Sequence, residues 1–185
     1  MAGSQTLRII AGQWRGRKIH FPSIEDIRPT PDRVRETLFN WLMPVMQGAR
    51  CLDLFAGSGA LGLEALSRGA SEVVFCDRNK KITRYLKDTL ELLKCDNAQV
   101  ITQDAMQFLS ACDSPFDIVF LDPPYDAGVL MKCCEQLEQQ PCLKDEAHIY
   151  LEHRGDLAVG ALPQNWRITR EKQAGQVCYQ LAQRD

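Results

Sequence analysis

Residues 52–70 read LDLFAGSGALGLEALSRGA. The apolar run from Cys51 to Phe55, broken by a single acid, is the pattern of a strand buried on both faces, and the glycines after it open a helical stretch to about Arg68. Gly57, Gly59 and Gly62 stand at G-x-G-x-x-G spacing between the two, and Asp77 closes the next strand-like run twenty residues after Gly57. Glycines alone make only a tight turn. With an acid at that distance they make a site for an adenosine cofactor, whose ribose hydroxyls the carboxylate accepts.

Outward from this turn the pattern alternates. Glu72 to Cys76, Gln99 to Thr102, Phe116 to Leu121 and Ala147 to Glu152 read as strands, separated by helices at Asn79 to Lys94, Ala105 to Ala111 and Val129 to Gln139. Strands joined by helices imply right-handed crossovers and a parallel sheet covered on both sides. Arg167 to Glu171 and Val177 to Leu181 flank Gly175 and read as an antiparallel hairpin at the sheet edge. Before Arg50, Leu7 to Ala11 and Lys18 to Phe21 suggest a small hairpin. RPTPDRVRETLFNWLMP (28–44) then starts a helix with Thr30 as N-cap, Pro31 at the first position, Val34, Leu38, Trp41 and Leu42 as its buried stripe, and Pro44 as its end. The expected fold is α/β: a Rossmann-like, seven-stranded, mostly parallel sheet with an antiparallel C-terminal hairpin. Residues 1–185 form one domain, with 1–48 as an N-terminal hairpin and helix extension.

Two features favour S-adenosylmethionine over a dinucleotide. Asp53, four residues before Gly57, suits a cationic amino-acid moiety and sits badly beside a pyrophosphate. Asp104 follows the third strand of the alternating series, where it can accept from an adenine amino group. Asp53, Asp77, Asp104 and Asp122 thus fall at the carboxyl ends of successive strands, the edge where open α/β sheets bind ligands. Each could also be a helix cap, Asp104 above all.

DIVFLDPPY (117–125) carries the second half of the chemistry. Its strand stops at two prolines, which cannot donate to a sheet ladder and so lift the chain out of it between an acid and an aromatic ring. An exocyclic amino group on a base is a poor nucleophile because its lone pair is delocalised into the ring. Asp122 and the Pro123 carbonyl can accept its N–H bonds, Pro124 fixes that carbonyl's direction, and Tyr125 offers a stacking surface. No metal is required.

The composition fits a globular chain: 185 residues, 45% hydrophobic and 25% charged. No run is apolar enough for a bilayer span and no secretory leader follows Met1, so a cytoplasmic location is expected. Eight cysteines without a CxxC pair read as reduced, mostly buried thiols rather than disulfides or metal ligands. Charge is uneven. Residues 1–50 hold eight Lys/Arg against four Asp/Glu, and the remainder holds fourteen against twenty. Any polyanion is therefore expected at the N-terminal segment. There Arg8, Arg15, Arg17 and Lys18 can reach phosphates, Trp14 can stack on a base or pack in the hairpin, and Arg28 and Arg33 lie near the helix start.

DLFAGSGALGLEALSRGA, the acid in FCDRN and DIVFLDPPY resemble the Rossmann-like methyltransferases of exocyclic amino groups. LRIIAGQWRGRKI followed by RPTPDRVRETLFNWL resembles, more narrowly, the bacterial 16S ribosomal RNA guanine-N2 methyltransferases of the RsmD type. The resemblance covers nearly the whole chain and is weakest after Tyr125. It implies methyl transfer from S-adenosylmethionine to N2 of a guanine in 16S rRNA, on an assembling or assembled 30S subunit; a monomer is expected. It also implies that Asp53, Phe55, Gly57, Gly59, Asp77, Asp104 and Ala105 line the cofactor, and that Asp122, Pro123, Pro124 and Tyr125 hold the guanine. The corner by itself does not separate guanine from DNA adenine or cytosine, or from a protein glutamine. An NAD-dependent oxidoreductase, which would bind NADH in preference, and a silent cofactor-binding assembly factor, which would methylate no small-subunit RNA, are the readings from other classes.

Overall fold

The computed structural model describes residues 4–22, 29–124, 127–155 and 161–185. Among these, β1 (Ser4–Arg8) and β2 (Lys18–Pro22) pair as an antiparallel hairpin, followed by α1 (Asp32–Met46). The main sheet contains β3 (Arg50–Asp53), β4 (Glu72–Asp77), β5 (Ala98–Thr102), β6 (Phe116–Leu121), β7 (Leu143–Arg154), β8 (Trp166–Ala174) and β9 (Val177–Arg184). Between its strands lie α2 (Ala60–Ser67), α3 (Lys80–Leu92), α4 (Ala105–Ser110) and α5 (Ala127–Gln139).

The strand order is β5-β4-β3-β6-β7-β9-β8, parallel from β5 to β7 and antiparallel at β9 and β8. The chain builds outward from β3 through β4 to β5, then returns across the sheet to lay β6 on the other side of β3. This reversal is the switch point at which doubly wound sheets open a crevice at their carboxyl rim.

Alternation along the strands sorts the core into two layers. Cys51, Val73, Phe75, Ile118, Phe120 and Tyr150 pack with α1, α2, α3 and the hairpin. Leu52, Val74, Val119, Leu121, Ile149 and Leu151 pack with α4 and α5. Phe116 and Ile118 are two apart yet lie in opposite layers, because the β6–β7 register shifts between them.

The N-terminal segment differs from expectation at both ends of its helix. The N-cap of α1 is Pro31, whose carbonyl accepts from the Val34 and Arg35 amides, while buried Thr30 supplies its carbonyl to Arg35 Nε. Pro44 lies inside α1 rather than ending it. It sits in the last turn between exposed Met43 and Val45, where a carbonyl deprived of its helical donor can be hydrated. The buried face is Val34, Arg35, Leu38, Phe39, Leu42 and Met46, with Trp41 only half-buried and stacked on Tyr179.

Hairpin and helix share the core of the main sheet. Leu7, Ile9, Trp14, Ile19 and Phe21 are buried with the residues of α1, α2 and α3. Cys51, Cys76, Cys133, Cys134 and Cys142 are buried, the other three cysteines are half-buried, and all eight are free thiols. Among the described residues no cluster could hold a metal ion, and no helix is long and apolar enough to cross a membrane.

Candidate active site

The β3–α2 turn carries the glycines. Gly57 and Gly59 take φ of +50° and +75°, the left-handed region that only glycine enters freely. Gly59 is the N-cap of α2 and has no side chain to cap with. Asp53 supplies the missing acceptor from the end of β3: its Oδ2 accepts from the Gly62 amide at 2.9 Å. Gly62 in turn lets α2 lie against β4, since a Cβ there would meet the Phe75 ring at 2.1 Å.

Asp77 closes the loop from the neighbouring strand. Its Oδ2 accepts from Gly57 N at 3.0 Å and its Oδ1 from Asn79 N at 2.8 Å. Each carboxylate oxygen retains a lone pair, so ribose hydroxyls can still donate to it. The loop is braced from outside as well: Tyr85 donates to the Ser58 carbonyl at 3.1 Å, and its ring lies 6.3 Å from Phe21 of the hairpin.

Asp53 is only 3% exposed, and burial, opposed by the Gly62 bond and reinforced by the Asp77 charge, pushes its pKa up to about 7. It braces the loop from within. Asp104 is the N-cap of α4, Oδ1 accepting from the Met106 and Gln107 amides. Phe55 is half-buried beside the glycines, and Ala105 is buried at the start of α4.

Parallel pairing sets the second element beside the first. Asp53 is in register with Phe120, and Leu54 N donates to the Phe120 carbonyl, so Asp122 and Pro123 leave the sheet next to the glycine turn. Asp122 is half-buried and Pro123 buried. Burial first, then the charges of Glu152 and Asp53, hold the Asp122 carboxyl well above the usual carboxylate range. Pro124 is exposed, while Tyr125 lies outside the described residues, as does Arg28.

Two-residue alternation places Asp53, Asp77 and Glu152 on the α1–α2–α3 side of the sheet, following Cys51, Phe75 and Tyr150, and Asp122, just past β6, feels the charges of Glu152 and Asp53. Glu152 is not among the residues that sequence motifs single out. A strand assigned to 147–152 does not say which neighbour it takes, and only the β6–β7 register reveals that Glu152 borders the corner.

The N-terminal cations are split. Arg15, Arg17, Lys18 and Arg33 are exposed, and Arg8 is exposed with an ion pair to Asp32 at 3.9 Å. Trp14 is 8% exposed within the core, so its ring is packing and not a free platform for a base. The hairpin turn docks on the far end of α2: Gln13 N donates to the Ser67 carbonyl and Trp14 N to Ser67 Oγ. Arg15 and Arg17 therefore flank the end of α2 that is away from the glycine turn.

A glycine turn with an acid at the end of the next strand, set beside an Asp-Pro-Pro corner at the carboxyl rim of the sheet, is the arrangement of a Rossmann-like S-adenosylmethionine-dependent methyltransferase. The family model described as Conserved hypothetical protein 95 matches residues 7–183. Ribosomal RNA small subunit methyltransferase D of Escherichia coli K12 is 50% identical over 184 residues, covering 100% of this chain and 93% of that protein. The solved structure of yhhF from Escherichia coli superposes with a TM-score of 0.91 at 48% identity, over 98% of this chain and 99% of that one. The fold extends to the Thermus thermophilus 16S rRNA N2 G1207 methyltransferase, solved with AdoMet and guanosine. That likeness has a TM-score of 0.75 at 20% identity, covering 99% of this chain and 50% of that one. The chain belongs to the ribosomal RNA small subunit methyltransferase D family.

Proposed function

We propose that this enzyme methylates the N2 amino group of one guanine in 16S rRNA, acting as a monomer in the cytoplasm on an assembling or assembled small subunit. The observation that carries the reading is the adjacency of β3 and β6, which sets the glycine turn and the Asp122–Pro123 corner side by side at the switch point. Family membership supplies the substrate class.

S-adenosylmethionine supplies, when bound, an electrophilic methyl group on a positively charged sulfur. The residues that would hold it are those of the β3–α2 turn with Asp77. Loop amides and a carboxylate suit a ribose and an uncharged linkage, and the ring of acids disfavours a pyrophosphate. Asp122 and the Pro123 carbonyl accept the two N–H bonds of the target amino group and turn its lone pair toward the methyl. The new N–C bond forms as the C–S bond breaks with its electron pair, and the surplus proton leaves through Asp122 to water. The exposed Arg15, Arg17, Lys18 and Arg33 contact RNA phosphates away from the target base, which must be unpaired or extruded to reach the corner.

Labelled methyl transfer onto undermethylated 30S particles and onto naked 16S RNA, followed by mapping of the modified base, tests this directly. Incorporation at N2 of a single guanine is expected. Incorporation elsewhere, or none on either substrate, overturns it.

A further inference from the structure

Resting on the methyltransferase reading above, we propose that Glu152 selects the base: its carboxylate accepts from the N1–H of the guanine whose N2 amino group is held at Asp122. β6 and β7 are parallel neighbours with Leu121 opposite Leu151; Asp122 follows the last residue of β6, Glu152 continues β7 beside it, and the Glu152 charge is felt at the Asp122 carboxyl. Neighbouring strands lie about 4.8 Å apart, a spacing from which two carboxylates can address adjacent groups on one ring edge.

Glu152 is held in place. Tyr150, two residues back on the same face and wholly buried, donates its hydroxyl to Glu152 Oε2 at 2.6 Å. Burial raises the Glu152 pKa overall, and the donated bond opposes this by favouring the carboxylate form. Across the sheet Glu152 is in register with Tyr179, itself buried and stacked on Trp41 with ring centroids 5.5 Å apart. The side chain is thus anchored by a buried hydroxyl, and that partner is a neutral phenol that leaves the negative charge available.

The chemistry of the base edges makes a second acceptor informative. Guanine presents N1–H beside its N2 amino group, two donors in a row. Adenine and cytosine each present a ring-nitrogen lone pair beside the amino group. A carboxylate facing that position attracts guanine and repels the others. Asp122 alone cannot make the distinction, because all three amino groups donate.

The test uses small-subunit particles assembled from 16S RNA carrying either guanine or 2-aminopurine at the mapped position. 2-Aminopurine keeps the N2 amino group but has an acceptor at N1. Wild type should prefer guanine by at least about 100-fold in kcat/KM, and Glu152→Gln should reduce that preference to about tenfold or less, mainly by loss on guanine. Because the ratio is internal to each preparation, partial loss of folded protein cancels. Glu152→Asp, which withdraws the carboxylate without removing it, should fall between and serves if the glutamine variant does not fold. Cofactor affinity by calorimetry should stay within about threefold in both variants. An unchanged ratio in both variants overturns the assignment of Glu152, whereas failure of wild type to methylate the guanine particle overturns the underlying functional reading.

Discussion

Arg35 on α1 and Glu64 on α2 face each other at 3.3 Å with neither side chain exposed. Around them Glu64 accepts from the Ile10 and Ala11 amides and from Arg68 Nε, while Arg35 donates to the Arg8 and Thr30 carbonyls and to Asp32. One ion pair therefore joins the N-terminal hairpin, α1 and α2, the helix that follows the glycine turn. A desolvated pair is worth little against a well-packed apolar replacement, but removing one partner strands the other.

Glu64→Gln should accordingly cost up to roughly 3 kcal/mol in denaturant unfolding, because Arg35 loses its buried counter-charge and keeps only the exposed Asp32 carboxylate, 2.6 Å away. Hydrogen exchange would localise the damage: the Ile10 and Ala11 amides, which donate to Glu64, should lose protection before the strands of the main sheet.

Gly62→Ala should destabilise by about 1–3 kcal/mol, since its Cβ would stand 2.1 Å from the Phe75 ring. Phe75→Leu in the same chain should recover part of the loss. Absence of any recovery in thermal melts would show that the contact is not the cause.

The Asp53 carboxyl, raised to about 7 from an ordinary value of 3.8, makes stability depend on pH. Below the ordinary value both folded and unfolded chains hold the proton. As pH rises toward 7 the unfolded chain releases it and the folded one does not, so this contribution to stability is lost through that window, at no more than roughly 1.4 kcal/mol per pH unit. Asp53→Asn keeps an acceptor for the Gly62 amide without the charge. Its stability relative to wild type should improve between about pH 4 and 7 and then level off in urea titrations.

If Asp122 holds the amino group as proposed, Asp122→Ala should lower methyl transfer by at least about 100-fold while leaving cofactor affinity within a few fold, because the residue follows β6 and is not part of the glycine turn. Single-turnover rates and calorimetry separate the two.

Charge reversal of Arg15 and Arg17 to Glu should weaken binding to 30S particles about tenfold or more at low salt, and the difference should shrink as salt is raised. Both side chains are exposed on the hairpin turn, so melting temperature should hold. Unchanged affinity across the salt series would remove the hairpin turn from the RNA-contacting surface.

How much of this is written in the chain follows from the range of each interaction. Alternating apolar patterns, the three glycines and the two prolines act over a few residues, and the main-sheet strands, the glycine turn and the Asp-Pro-Pro corner are legible from them alone. Thr30 and Pro44 mislead by local rule. Pro31 caps the helix instead, and a proline in an exposed last turn does not stop it.

What lies beyond such reading depends on pairing across the fold. Tertiary packing buries Arg35 against Glu64, turns Trp14 into the core, engages Asp53 as the cap of α2, and brings Glu152 beside Asp122. A side chain's type sets which bonds it can make. Strand register and helix docking, settled by burial over the whole chain, decide which partner it meets and therefore which of those bonds it makes.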